Sequence, residues 1–265
     1  MARIRAVLLD IDGTLTVSWR PLPGAVEAVT RLQEAGYAVG LVTNTTSRTR
    51  AWIASALAEA GFRVGAGGIF TAPAITAAYL ARSHPGARYA LLNSGDITED
   101  LPGATIIGDG EVPGPAPDVV IVGGAGPEFS YQALNRVFGY LLGGARLVAM
   151  ARNLYWRTDA GLQLDSGAFL AGLEQAAGVQ AEVIGKPAAA FFATALAALG
   201  ASADQAVMVG DDIEADVLAA QRHGLAGVLV RTGKYREESV ARAAAAPDHV
   251  IGSVADLPAL LAARF

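Results

Sequence analysis

Cysteine is absent from this chain, so neither a disulfide framework nor a thiolate metal site is available, and zinc held by sulfur is excluded. Histidine is scarce, and His84, His223 and His249 stand in stretches with no partner legible nearby, so all three read as surface residues. Lysine is scarcer still: Lys186 and Lys234 are the only two, every other fixed positive charge being arginine. Against that background a lysine is either a product of genomic composition or a residue with a specific job. Basic runs are missing and the net charge is −5, which removes the electrostatic footprint of a nucleic-acid binder. Long unbroken apolar runs are missing too. Residues 64–81 are uncharged but interrupted by Gly65, Gly67, Gly68 and Pro73, and residues 187–203 are Ala-rich with Ser, Thr and Gly, so neither reads as a membrane span. No charged-then-apolar leader precedes the first apolar run, which reads as cytoplasmic.

What remains is globular material: 52% hydrophobic and 17% charged residues are enough for a core and carry no signature of disorder. At 265 residues the chain exceeds the usual length of one compact core, so a domain with a substantial insertion is expected. Hydrophobic patterning predicts strands at 6–9, 38–42, 68–70, 206–209 and 227–230, with helices at 24–32, 73–81 and 188–199 between them. Ser47 is the expected N-cap of a helix running to Ala60, and Ser253 of the terminal helix. From about Arg82 the texture changes. Turn signals, among them the run from Val112 to Pro117, separate short strands at 89–92, 105–107, 119–122 and 147–150 and helices at 130–142 and 166–177. This alternation predicts an inserted α/β module. The resulting expectation is an α/β fold: a Rossmann-like doubly wound parallel-sheet core from 1–77 and 183–265, and an inserted smaller α/β cap domain from 78–182.

Four stretches carry chemistry. Asp10 and Asp12 end the first apolar strand, where each carboxylate costs several kcal/mol to bury unless a cation or hydrogen bonds satisfy it. Thr43 and Asn44 follow the second strand and precede a helix, a place whose free N–H groups suit a phosphate or ordinary capping. Lys186 follows the short apolar pair Val183-Ile184, read as a strand on which the core pattern resumes. Asp211, Asp212 and, in the first turn of the next helix, Asp216 repeat the opening design, with Glu214 a helix-dipole complement. In open parallel sheets ligands bind at the carboxyl ends of strands, so the four stretches converge. Their oxygen-rich, sulfur-free donors suit Mg²⁺.

The chain resembles the haloacid dehalogenase superfamily of phosphohydrolases. Asp10-Ile11-Asp12-Gly13-Thr14 matches its first motif, Thr43-Asn44 its second, Gly185-Lys186-Pro187 its third, and Gly210-Asp211-Asp212 with Asp216 its fourth. The long insertion between the second and third motifs is similar to that of the branch with a large α/β cap. The stretches 117–122, 159–162 and 230–236 resemble the subgroup that contains phospholysine phosphohistidine inorganic pyrophosphate phosphatase and its hydrolase-domain relatives.

By that resemblance Asp10 is the nucleophile of a Mg²⁺-dependent phosphohydrolase, forming an aspartyl-phosphate, and Asp12 the general acid and base. Mg²⁺ is then held by Asp10, the main-chain carbonyl of Asp12 and Asp211, with Asp212 or Asp216 orienting its waters. Thr43, the Asn44 amide and Lys186 stabilise the phosphoryl oxygens. An acid at position 12 argues against a dehalogenase, whose leaving halide needs no proton. In the cap, Asn153, Tyr155, Trp156, Arg157, Asp159 and Asp165 form the most chemically varied segment; Asn153 and Arg157 are candidates for reading the substrate, the alternative being a surface turn. The expected partner is a small phosphorylated metabolite, with no nucleic acid and no membrane, and by fold-level analogy the cap could support a homodimer. Two other readings stay open: a catalytically quiet phosphate-binding or regulatory protein of the same fold, and a receiver-like phosphoacceptor, which needs neither the second acid nor a cap.

Overall fold

A computed structural model describes residues 3–110, 114–158 and 161–264, with the side chains of 156–162 outside that description. The Val112-Pro113 part of the proline-rich run and Asp159-Ala160 therefore lie outside the described residues. In chain order the first elements are β1 (Ala6–Asp10), β2 (Thr16–Val17), β3 (Arg20–Pro21), α1 (Ala25–Glu34), β4 (Ala38–Thr43), α2 (Arg50–Glu59), β5 (Ile69–Thr71) and α3 (Ala72–Ser83). There follow β6 (Tyr89–Leu92), β7 (Thr105–Ile106), β8 (Val119–Val122), α4 (Tyr131–Leu142), β9 (Arg146–Ala149), β10 (Tyr155–Thr158), β11 (Gly161–Leu164), α5 (Ser166–Ala177) and β12 (Glu182–Val183). The last group is α6 (Ala189–Leu199), β13 (Ala206–Gly210), a π-helical stretch Ile213–Leu218 continued by α7 (Ala219–Arg222), β14 (Ala226–Val230), α8 (Glu237–Arg242), β15 (His249–Ile251) and α9 (Leu257–Arg264).

Two compact units result, one of Met1–Thr43, Arg50–Phe70 and Lys186–Phe265, the other of Asn44–Thr49 and Thr71–Gly185. The first is built on a six-stranded sheet ordered β15-β14-β13-β1-β4-β5. Every β1 residue is buried, as expected of a central parallel strand covered on both faces. Val7 and Leu9 pack with Leu32 of α1, Leu57 of α2 and Leu261 of α9. On the other face Gly40 leaves room for Phe70, Leu8 and Leu199 of α6 to meet. Helices thus cover both faces, the doubly wound arrangement. The strand order reverses at β1, since the chain first adds β4 and β5 to one side and then β13, β14 and β15 to the other.

The second unit has a five-stranded sheet, β12-β9-β8-β6-β7, parallel throughout, with a β10–β11 ribbon beside it in sequence. Its core joins Leu92, Val120, Val122 and Ala149 to Val137 of α4 and Leu170 of α5. The segment 44–49 belongs here: Asn93, buried at the end of β6, donates from Nδ2 to the Thr46 carbonyl at 3.0 Å and accepts from Gly124 N–H at 2.9 Å.

Three expectations are corrected. The strand expected at 183–184 is β12, shifted one residue and paired with β9 in the smaller sheet, so Lys186 does not follow a strand of the six-stranded sheet. The helix expected from Ser47 starts only at Arg50; residues 44–49 run without regular structure, held by side-chain bonds such as that from Asn93. Ser253 caps the short 3-10 turn Val254–Asp256 that precedes α9, accepting from Ala255 N–H. The β2–β3 hairpin went unforeseen, because its turn uses positive φ at Ser18 and Trp19, where neither glycine nor asparagine marks it. Among the described residues no helix is long and apolar enough to cross a membrane.

Candidate active site

The first unit gathers its acids at the carboxyl ends of β1 and β13, the two strands at which the sheet order reverses. Leu9 pairs with Val209 and Asp10 with Val42, so Asp10 and Thr43 end two adjacent strands and Asp211 directly follows the end of β13 beside them. That is where an open α/β sheet offers a crevice. Thr43 is buried as the last residue of β4. Asp216 reaches the same place from the helix after β13: the π-helical stretch begins at its cap Asp212, whose Oδ1 accepts from Glu214 and Ala215 N–H, and the Asp216 carboxylate turns back to accept from Asp212 N–H. Gly210 permits this, since a Cβ there would stand 2.3 Å from Asp216 Oδ2.

Lys186 lies between two of these acids. Its Nζ donates to Asp10 Oδ1 at 2.5 Å and to Asp216 Oδ1 at 2.7 Å. Relative exposures of 7% for Asp10, 5% for Lys186, and 2% each for Asp211 and Asp216 make this a buried charge cluster. Burial pushes the Asp10 carboxyl well up; Lys186 opposes that shift while Asp216 and Asp211 add to it. Burial alone would push Lys186 down, but Asp10 and Asp216 outweigh it and hold its ammonium above the usual lysine value. Asp211 is pushed up to about 6, chiefly by burial, with the Lys234 N–H opposing and Asp216 adding to the shift. Asp12 is exposed beyond the strand tip, bridged to Thr16, and partial loss of solvation raises its carboxyl against the pull of Lys234 and Lys186.

One oxygen each from Asp10, Asp211 and Asp216 lies within 4.8 Å of the others, the spacing of a metal-ion site. When all three carboxylates are ionised they exceed the one ammonium of Lys186 by two negative charges, the charge of one divalent cation. The donors are all hard oxygens and suit Mg²⁺.

The expected site residues thus divide. Asp10, Lys186, Asp211 and Asp216 come together; Asp12 and Thr43 stand at the same strand ends. Asp212 spends Oδ1 on capping and turns Oδ2 to Lys234 Nζ at 3.5 Å. Asn44 and the exposed Asn153 belong to the second unit, as does Arg157, which lies on β10. Lys234 stands out in the sequence by scarcity alone and is not among the expected site residues, yet its backbone N–H donates to Asp211 Oδ2 at 2.7 Å. The scarcity of lysine was the available signal: both lysines lie at this acidic cluster. The histidines are half-buried rather than surface residues, and His223 meets the Pro187 carbonyl at 3.4 Å and the Phe192 ring.

Residues 7–106 match the family model described as Haloacid dehalogenase-like hydrolase, and residues 183–257 match the one described as HAD-hydrolase-like. The phospholysine phosphohistidine inorganic pyrophosphate phosphatase of Homo sapiens is 37% identical over 242 residues, covering 89% of this chain and 86% of the relative. This chain belongs to the haloacid dehalogenase-like hydrolase family. The haloacid dehalogenase-like hydrolase domain-containing protein 2 of Homo sapiens is likewise 37% identical, over 88% of this chain and 86% of its own length. Among solved structures, the p-nitrophenyl phosphatase from Archaeoglobus fulgidus superposes with a TM-score of 0.88 at 27% identity, covering 98% of this chain and 100% of that one. The haloacid dehalogenase-like chain is accordingly an enzyme of the phosphatase class, with the α/β fold of its family.

Proposed function

We propose that this phosphatase hydrolyses a small phosphorylated metabolite in two steps, with Asp10 as nucleophile and Mg²⁺ as cofactor. The observation that carries the reading is the buried set of Asp10, Asp211 and Asp216, three carboxylates to the one ammonium of Lys186. Asp10, Asp211, and Asp216 directly or through water, hold the cation together with the Asp12 carbonyl. When bound, Mg²⁺ offsets the repulsion between carboxylate and phosphate and draws charge from a phosphoryl oxygen.

In the first step an Asp10 oxygen forms a bond to phosphorus as the bond from phosphorus to the leaving oxygen breaks. Asp12 gives that oxygen its proton. A carboxyl raised by lost solvation, as Asp12 is, carries a proton to donate closer to neutral pH than a free aspartate does. In the second step Asp12, now ionised, takes a proton from the water that attacks the aspartyl-phosphate, releasing phosphate and restoring Asp10. Lys186 holds Asp10 in place and balances phosphoryl charge; the Thr43 hydroxyl and Asn44 N–H add hydrogen bonds to those oxygens. Residues 78–182 form the cap domain of this reading, in which Asn153 and Arg157 read the part of the substrate beyond its phosphate. The named activity of the human relative extends the reading to phosphoramidate and pyrophosphate bonds.

The test is phosphate release from a panel of phosphorylated metabolites, p-nitrophenyl phosphate, pyrophosphate and phospholysine, with Mg²⁺ and with chelator. Wild type is expected to release phosphate only with metal, and Asp10→Asn to lose on the order of 10³-fold or more in kcat while staying folded. Turnover retained by Asp10→Asn would remove the nucleophile assignment, and release unaffected by chelator would remove the metal.

A further inference from the structure

Asp211 is gripped from a loop that lies far from it in sequence. After β14 the chain turns through Thr232, Gly233 and Lys234. The Thr232 hydroxyl donates to the Gly13 carbonyl at 2.5 Å, and Lys234 N–H donates to Asp211 Oδ2 at 2.7 Å. Gly13 and Gly233 face each other across the same carboxylate: an added Cβ at either would stand 1.9 Å from Asp211 Oδ2, and one at Gly233 would also stand 2.6 Å from the Gly13 Cα. Both glycines have positive φ, +87° and +55°, so each position also disfavours a side chain on backbone grounds. Gly13 is in turn held by its N–H to the Thr16 carbonyl at 2.7 Å. The turn after the nucleophile strand, the carboxylate after β13 and the turn after β14 are therefore joined at one point.

We propose that Thr232-Gly233-Lys234 is a brace that sets the affinity of the acidic cluster for its divalent cation, with Thr232 and Gly233 as positioning residues. The proposal rests on the reading of Asp10, Asp211 and Asp216 as the cation site. Lys234 N–H occupies Oδ2 of Asp211 and so fixes how the carboxylate is turned, leaving Oδ1 to a cation. The Thr232 bond to Gly13 holds the loop carrying Asp12 at a set distance from Asp211. A carboxylate free to rotate in a cluster of like charge swings outward toward solvent; the brace removes that freedom before the ion arrives.

The experiment is titration calorimetry of the metal-free full chain with Mg²⁺, alongside its thermal unfolding, for wild type, Thr232→Val, Thr232→Ser and Gly233→Ala. Thr232→Val keeps the side-chain shape and removes the donor; Thr232→Ser restores it. The expected result is a Mg²⁺ Kd about 10-fold weaker in Thr232→Val, recovered in Thr232→Ser, and about 10- to 100-fold weaker in Gly233→Ala, the range typical of residues that orient metal ligands. Thermal midpoints of the metal-free Thr232 variants should stay close together. A merely structural role predicts the reverse, a lowered midpoint with unchanged Kd, and that outcome overturns the brace. Should Gly233→Ala not fold, the Val and Ser pair alone decides. Wild type that binds no Mg²⁺ would instead overturn the cation site itself, a failure distinct from that of the brace.

Discussion

Asp211 and Lys186 show how burial and charge compete in this site. Lys186 stays protonated because two carboxylates within 2.7 Å outweigh the cost of removing its ammonium from water. Asp211 has no such ammonium contact; a backbone N–H only partly offsets its burial, and its carboxyl rises to about 6. In the unfolded chain it titrates near about 4, so the folded metal-free protein holds this proton more tightly. Its contribution to stability is then complete below about pH 4 and lost as pH rises through about 6. The urea midpoint of metal-free wild type, followed from pH 4 to 7, should fall relative to that of Asp211→Asn over this window, and saturating Mg²⁺ should remove the difference in trend. Parallel curves for the two proteins would contradict it. Which acids would be crowded in this way was not legible residue by residue, because Asp211 and Asp212 are neighbours of equal chemistry in the sequence. The fold separates them, one buried against two glycines and the other turned out to cap a helix.

At the scale of elements, the strand and turn after it act as one device. β13 ends in Gly210, whose missing Cβ lets the Asp216 side chain lie across the strand end and reach Lys186. Gly210→Ala should overpack this place, costing about 1–3 kcal/mol in urea unfolding and weakening Mg²⁺ binding. A variant as stable as wild type would mean that Asp216 has room to move aside. The apolar strands and most helices were legible because burial on both faces writes continuous runs for β1, β8 and β13, and amphipathic patterning marks α1 and α4. β12 was legible as a strand but not as a member of the smaller sheet, since its two residues carry no mark of their partner β9. The β2–β3 hairpin was not legible at all, because Ser18 and Trp19 adopt left-handed backbone without the usual residues, with Trp19 packed edge-on to Trp52.

For the molecule as a whole, the chain passes between its two units four times, at 43–44, 49–50, 70–71 and 185–186. The segment 44–49 stays with the second unit through Asn93, whose Nδ2 also donates to the Ser94 and Gly95 carbonyls at 2.8 Å. Asn93→Ala removes the partner of the Thr46, Ser94 and Gly95 carbonyls and of the Gly124 N–H, the bond to Thr46 being the fully buried one, a loss of roughly 1–3 kcal/mol. Hydrogen exchange should quicken at 44–49, 94–95 and 124 while β1 and β13 keep their protection. Unchanged exchange at 44–49 would show that the segment is held some other way.

The sequence by itself determined that apolar strands end in Asp10, Asp12, Thr43 and Asp211, that lysine is reserved for two positions, and that the order of motifs belongs to one hydrolase family. These properties are local: a strand's burial, a turn and a charge type are written in a few consecutive residues. Only the tertiary structure decided that Asp216 rather than Asp212 meets Lys186, that the Lys234 amide and two glycines enclose Asp211, and that β12 joins the smaller sheet. Those facts depend on which strands lie side by side and how each side chain is turned. Pairing across long stretches of chain fixes both, and no short stretch of sequence contains it.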